Sequence, residues 1–161
     1  MRDIVRYHGE MFSLGFQEVL LAKNFRIVEI AKLEQLTGLV QRRDVDILLG
    51  AEYIALTDNL HFRHAGFTDV LLRKAREKNI AIGFSFSDFL RCKDDYERAR
   101  IFGRMQQNVR LCRKCGVNVV VASFARTKWE MRGALDLLAF ARVLGMTGDE
   151  ARNALTFAPK R

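Results

Sequence analysis

The chain has 161 residues, and 49% of them are hydrophobic, which excludes general disorder and is enough for one domain with a core. Its 27 Lys and Arg against 19 Asp and Glu leave a formal charge of +8, favouring a polyanionic partner such as nucleic acid over a cationic one. No apolar run approaches the roughly 20 residues of a membrane span, and the opening MRDIVRYHGE lacks the apolar segment of a signal peptide, so a soluble, cytoplasmic protein without a membrane partner is expected.

From the N-terminus, residues 1–15 read as a helix, with Ile4, Val5, Met11, Phe12 and Leu14 apolar and Gly15 as a stop. Residues 19–22 and 26–30 read as strands separated near Lys23-Asn24. Leu33, Leu36, Leu39 and Val40 then recur at helical spacing, and residues 45–49 form the next strand. Residues 50–63 have no clear period, and Asp58-Asn59 marks a turn. A basic helix follows over 70–78, with Val70, Leu71, Leu72 and Ala75 inward and Arg73, Lys74, Arg76 and Lys78 outward.

Two buried-type strands, 80–84 and 117–121, bracket a long helix over 96–115, the grammar of a parallel βαβ unit. Residues 134–143 are a strongly apolar helix ended by Gly145. Thr147 or Gly148 caps a short helix over 149–155, and the APKR tail is expected to fray. Trp129 and most of the twelve phenylalanines read as core. Such alternation predicts parallel strands with right-handed crossovers and outer helices.

At 100° per residue, Ile101, Phe102, Met105, Val109 and Cys112 share one face of the long helix, while Arg100, Arg104, Gln107 and Lys114 lie opposite and Arg110 flanks them. That cationic strip is either a solvated face or a set of phosphate contacts, whose counterion release makes affinity fall with salt. Arg98 falls in the apolar stripe, but in the first turn its guanidinium emerges at the helix N-terminus. In an α/β barrel that end faces the mouth formed by the strand C-termini, where Ser85, Ser87, Ser123, Arg126, Lys128 and Arg132 also gather. There Arg98 either binds phosphate or pairs with Asp88, Asp94 or Asp95. Arg132 precedes an apolar helix whose orphan N–H groups favour an anion, with a salt bridge to Glu130 or Asp136 as the competing account.

No nucleophile set or glycine-rich phosphate loop stands out, so no catalytic residue is assigned. Cys112 and Cys115 form a C-x-x-C without a second half-site, and Cys112 lies on the apolar face, so packing is preferred to metal or redox chemistry. The only histidines are His8, His61 and His64, and His61-Phe62-Arg63-His64 lacks a nearby acidic cluster; no protein metal site is expected.

Several phrases nevertheless cohere: Arg63-x-x-Gly66 followed by Asp69-Val70-Leu71 and Arg73, then Tyr96-Glu97-Arg98, Ala122-Ser123-Phe124-Ala125, and Trp129-Glu130-Met131-Arg132. Together they resemble the protein component 3 family of archaeal ribonuclease P, related to the thirty-kilodalton subunit of the human enzyme, over roughly residues 26–155. The resemblance implies a TIM-like barrel similar to PHP phosphoesterase domains. About 250 residues is usual for a full eight-fold barrel, so a short or incomplete one is expected here. It also implies a non-catalytic ribonucleoprotein subunit acting in tRNA processing. In that family the RNA subunit removes 5′ leaders from precursor tRNA using magnesium bound to RNA, and the protein stabilises the RNA together with protein component 2 and the other proteins. Arg63, Arg73, Lys74, Arg98, Arg100, Arg104, Arg110, Lys114, Arg126, Lys128 and Arg132 are the RNA-binding candidates. The alternative is a metal-dependent PHP-type phosphoesterase on the related barrel.

Overall fold

The computed structural model describes residues 1–7, 9, 12–55, 57–59 and 63–157. Strands β1 (Arg2–Val5), β2 (Glu18–Leu21) and β3 (Ile27–Glu29) precede helix α1 (Gln35–Leu39) and strand β4 (Ile47–Leu49). Next come α2 (Asp69–Glu77), β5 (Ala81–Ser85), α3 (Phe86–Leu90), α4 (Asp95–Cys115), β6 (Val119–Ala122), α5 (Ala134–Val143) and α6 (Gly148–Ala154). The α/β class with parallel strands and outer helices is as expected. Residues 1–15 are not a helix, however. Ile4 and Val5 belong to β1, and Met11 lies outside the described residues. A four-residue strand buried at Asp3, Ile4 and Val5 shows no alternation, so its sequence does not separate strand from helix.

All ladders are parallel, with β1 on β2 and, separately, β3-β4-β5-β6 in that order. Backbone bonds join the two sheets beyond the end of β6: Phe124 N–H donates to Ile4 O at 2.8 Å, and Arg6 N–H to Ala125 O at 2.7 Å. The strands therefore follow one another around a curved wall in the order 2-1-6-5-4-3. Among the described residues no ladder links β2 to β3, so the wall is a short barrel open along one seam.

Alternate side chains of this wall serve two cores. Ile4, Ile47, Leu49, Ala81, Val120, Ala122 and Phe124 pack together inside, whereas Leu48, Ile82, Phe84 and Val121 pack outward against the helices. The interior is tight. A Cβ at Gly83 would collide with Leu49 Cδ2 and stand 2.8 Å from Ile47 Cγ2, so any larger residue would force these side chains of the neighbouring strand to shift. Outside, Ile101, Met105, Val109 and Cys112 of α4 meet the sheet as the helical period predicts. Phe86 and Phe140 pack edge to face at 4.9 Å, joining α3 to α5.

Caps define the helix starts. Thr68, Ser85, Asp94 and Thr147 each accept a backbone N–H from the first turn of α2, α3, α4 and α6. Val70 departs from its expected inward position at 64% exposure, because it occupies the first turn of α2, where only Leu72 and Ala75 turn fully to the core. Trp129 is likewise not core: it sits on a one-turn 3-10 segment and is 76% exposed.

Candidate functional site

The strand C-termini meet at a mouth whose serines are structural. Ser87 N–H donates to Ser123 O at 3.0 Å, and Ser87 Oγ donates to Phe124 O at 3.1 Å, tying the ends of β5 and β6 together. Ser123 donates through N–H and Oγ, each at 2.6 Å, to the two carboxylate oxygens of Asp3 on β1. Burial pushes the Asp3 carboxyl up to about 6, against the lowering influence of its hydrogen bonds from Ser123 and Ile4.

A layer of ion pairs covers these serines. Arg6 reaches Glu29 at 2.6 Å and Asp88 at 3.2 Å, and Arg126 holds the other oxygen of Asp88 at 3.0 Å. Arg91 pairs with Glu130, whose second oxygen accepts Arg126 N–H at 2.7 Å. Beside this layer lies a cavity of about 340 Å³, reached by Glu29, Glu52, Tyr53, Asp88, Glu97 and Arg126. Sequence reasoning missed Glu52. The available signal was its place just after Gly50 at the end of β4, the same strand-end rule that singled out Ser85 and Ser123.

The expected cationic strip on α4 is broken at Arg104, whose side chain is fully buried. Its Nε donates to Asp58 Oδ1 at 2.9 Å, and its Nη1 to the carbonyls of Glu52 and Ala55 at 2.9 and 2.7 Å. Nearby, Asn108 Nδ2 donates to Ala65 O at 2.8 Å. The connection between β4 and α2 therefore packs over the face that periodicity assigned to solvent, and the Arg104 guanidinium is buried among internal partners instead of lying on an exposed strip. At Gly66 in this connection φ is +89°, and a Cβ would stand 2.7 Å from Ala51 O, so glycine permits the close return.

The remaining candidates fall into two groups. Toward the mouth, Arg98 pairs with Asp95 at 2.6 Å, and Arg100 lies 3.7 Å from Glu97 with its guanidinium over the Tyr96 ring. Lys128 stands 4.9 Å from the Trp129 ring. Arg132 pairs with neither proposed carboxylate: its Nη1 donates to Trp129 O at 3.0 Å and Met131 O at 2.8 Å, and its guanidinium lies 5.8 Å from Phe86. Glu130 is taken by Arg91, and Asp136 accepts from Gly133 N–H at 3.1 Å.

Toward the other end, Lys114 bridges to Asp69 of α2 at 2.5 Å, while Arg73, Lys74 and Arg110 make no ion pair among the described residues. Arg63 lies along α4, its Cζ 3.0 Å from the place a Cβ on Gly103 would take. Residues 98 and 114 are separated by about 24 Å along α4 at 1.5 Å per residue. The structure thus does not bring the candidates into one patch.

Cys92, Cys112 and Cys115 are buried free thiols, and burial pushes Cys112 well above the usual thiol range. His8 and His61 lie outside the described residues, and His64 N–H donates to Asp58 at 2.8 Å. Among the described residues no group of three or more His, Cys, Asp or Glu is gathered to hold a metal ion, and no helix is long and apolar enough to cross a membrane.

Fold and site together define a basic protein of the parallel α/β barrel type, with a mouth closed by ion pairs. Residues 23–161 match the family described as RNase P subunit p30, and the chain belongs to that family. Ribonuclease P protein component 3 of Thermococcus gammatolerans is 40% identical over 95 residues, 59% of this chain and 44% of that relative. The Methanocaldococcus jannaschii protein of the same name is 35% identical over 105 residues, covering 65% and 42%. The chain spans less than half the length of these curated relatives. A chain in the cryo-EM structure of archaeal ribonuclease P with mature tRNA shares the fold, with a TM-score of 0.72 and 24% identity over 96% of this chain and 78% of that one.

Proposed function

We propose that this chain is a protein subunit of ribonuclease P that binds and stabilises the catalytic RNA for removal of 5′ leaders from precursor tRNA. The family match over residues 23–161 carries the reading. The charge of +8 and the residues Arg63, Arg73, Lys74 and Arg110 supply a physical means: cations that make no ion pair among the described residues can neutralise phosphates and release counterions. Contacts of this kind position the protein on RNA without reading base sequence. The proposed partners are the ribonuclease P RNA, the precursor tRNA held in the complex, protein component 2 and the other ribonuclease P proteins. Magnesium belongs to the RNA in this reading, and the protein contributes no catalytic group. Reconstitution of precursor-tRNA cleavage with each protein omitted in turn tests it. Omission of this chain should lower cleavage at limiting magnesium, and cleavage indifferent to it would refute the role.

A further inference from the structure

The turn after β6 displays the chain's single tryptophan to solvent and holds it there. Trp129 is 76% exposed on the 3-10 turn Lys128–Glu130, and its indole N–H has no hydrogen-bond partner among the described residues. The backbone beneath it is fixed at several points. Glu130 N–H donates to Thr127 O at 3.1 Å, Arg132 Nη1 donates to Trp129 O at 3.0 Å, and the Glu130 carboxylate is held between Arg91 and the Arg126 N–H. A rigid aromatic ring already presented on a fixed turn costs little further ordering when a ligand stacks on it.

The charges beside the ring select an anionic partner with a planar group. Lys128 Nζ stands 4.9 Å from the ring centroid and makes no ion pair among the described residues. Between 126 and 132, Arg126, Lys128 and Arg132 stand against Glu130 alone, and Glu130 is already engaged by Arg91. A purely apolar protein contact on Trp129 would desolvate the Lys128 ammonium without giving it a counterion. A nucleotide supplies both needs, a π face for the indole and a phosphate for the ammonium. Unpaired bases suit this best, because they can be splayed out and stacked on aromatic side chains, whereas bases inside a duplex are stacked on one another.

We propose that Trp129 and Lys128 bind one unpaired nucleotide of the ribonuclease P RNA, its base stacked on the indole and its phosphate against the ammonium. The site rests on the RNA-binding reading above and adds a contact of a different kind: the stack itself releases no counterions, unlike phosphate contacts by Arg73, Lys74 and Arg110.

Because Trp129 is the only tryptophan, indole fluorescence of the purified chain reads the site directly. Titration with the ribonuclease P RNA should quench that emission saturably, in step with binding measured by filter retention. Trp129→Ala should weaken RNA binding about five- to 150-fold, the loss of one base stack, without changing the slope of log K against log salt. Trp129→Phe should recover most of that loss and Trp129→Leu little of it, since leucine keeps apolar contact but has no π face. Lys128→Ala should flatten the salt slope by up to about one unit. RNA that binds without quenching, or with equal affinity for the parent and Trp129→Ala proteins, overturns the stack and leaves the ribonuclease P reading standing; RNA that does not bind the parent at all overturns both. Equal recovery by leucine and phenylalanine would mark an apolar contact, and quenching by precursor tRNA or protein component 2 alone, with none by the ribonuclease P RNA, would assign Trp129 to that partner; either result overturns the proposal.

Discussion

The mouth and the far face of α2 and α4 are both rich in arginine, yet they handle charge in opposite ways. At the mouth Arg6, Arg91 and Arg126 each meet a carboxylate from another part of the chain, so their charge joins β1, β3, α3 and the loop after β6. On the far face Arg73, Lys74 and Arg110 meet none among the described residues. A count of basic residues treats the two regions alike. Geometry engages Arg6, Arg91 and Arg126 in holding the fold and leaves Arg73, Lys74 and Arg110 without a carboxylate among the described residues; Lys128 and Arg132 at the mouth and Lys114 beside α2 are the exceptions on each side.

The strongest way to break this comparison is at Arg104, the most buried cation. Arg104→Ala leaves Asp58 and two carbonyls without their donor, and should cost about 3–5 kcal/mol, as loss of one partner from a buried ion pair does. Urea unfolding measures it. A loss under about 1 kcal/mol, the value of an exposed pair, would return Arg104 to the solvent-facing strip.

Glu52 gives the next effect, and its sign is distinctive. Its carboxyl lies near 7 in the fold against an ordinary 4.5, so the folded state holds the proton more tightly. The associated stability is fully present below about pH 4.5 and is lost as pH rises through 7. Glu52→Gln removes this dependence and should gain roughly 1–3 kcal/mol relative to the parent between pH 4.5 and 8. Parallel stability profiles for parent and variant would contradict the burial of that charge.

Arg132 sharpens the comparison at smaller scale. Its two carbonyl contacts hold the loop ahead of α5, so Arg132→Ala should cost about 1 kcal/mol, a typical net value for hydrogen bonds of this kind. Thermal unfolding of the variant at fixed pH checks this, and an unchanged midpoint would show that the guanidinium is free to serve elsewhere.

Much of the fold was legible because local pattern and tertiary packing agree. The apolar run at 134–143 is α5 to the residue, and the strands at 80–84 and 117–121 occur as β5 and β6 with ends shifted by one or two positions. The errors lie where a distant segment decides. Arg104 has the periodicity of an exposed residue, but the connection between β4 and α2 folds across it, and no local signal says which loop covers which helix face. Trp129 has the composition of core and stands exposed, since a single 3-10 turn offers it no facing layer. At the candidate site the strand-end rule located the mouth correctly, whereas the pairing of its arginines depends on Glu29, Asp88 and Glu130, brought together only by the curvature of the wall.

The central proposal is that Arg73, Lys74 and Arg110, cations on α2 and α4 with no ion pair among the described residues, meet RNA phosphates. Its most direct test is the slope of log K against log salt for binding of the ribonuclease P RNA, compared between Arg73→Ala/Arg110→Ala and Arg126→Ala proteins of verified fold. The account predicts a slope flatter by up to about two units for the double variant, and a smaller change for Arg126→Ala, whose charge is engaged by Asp88. An unchanged slope for the double variant, with a flattened one for Arg126→Ala, would place the phosphate contacts at the mouth and contradict it.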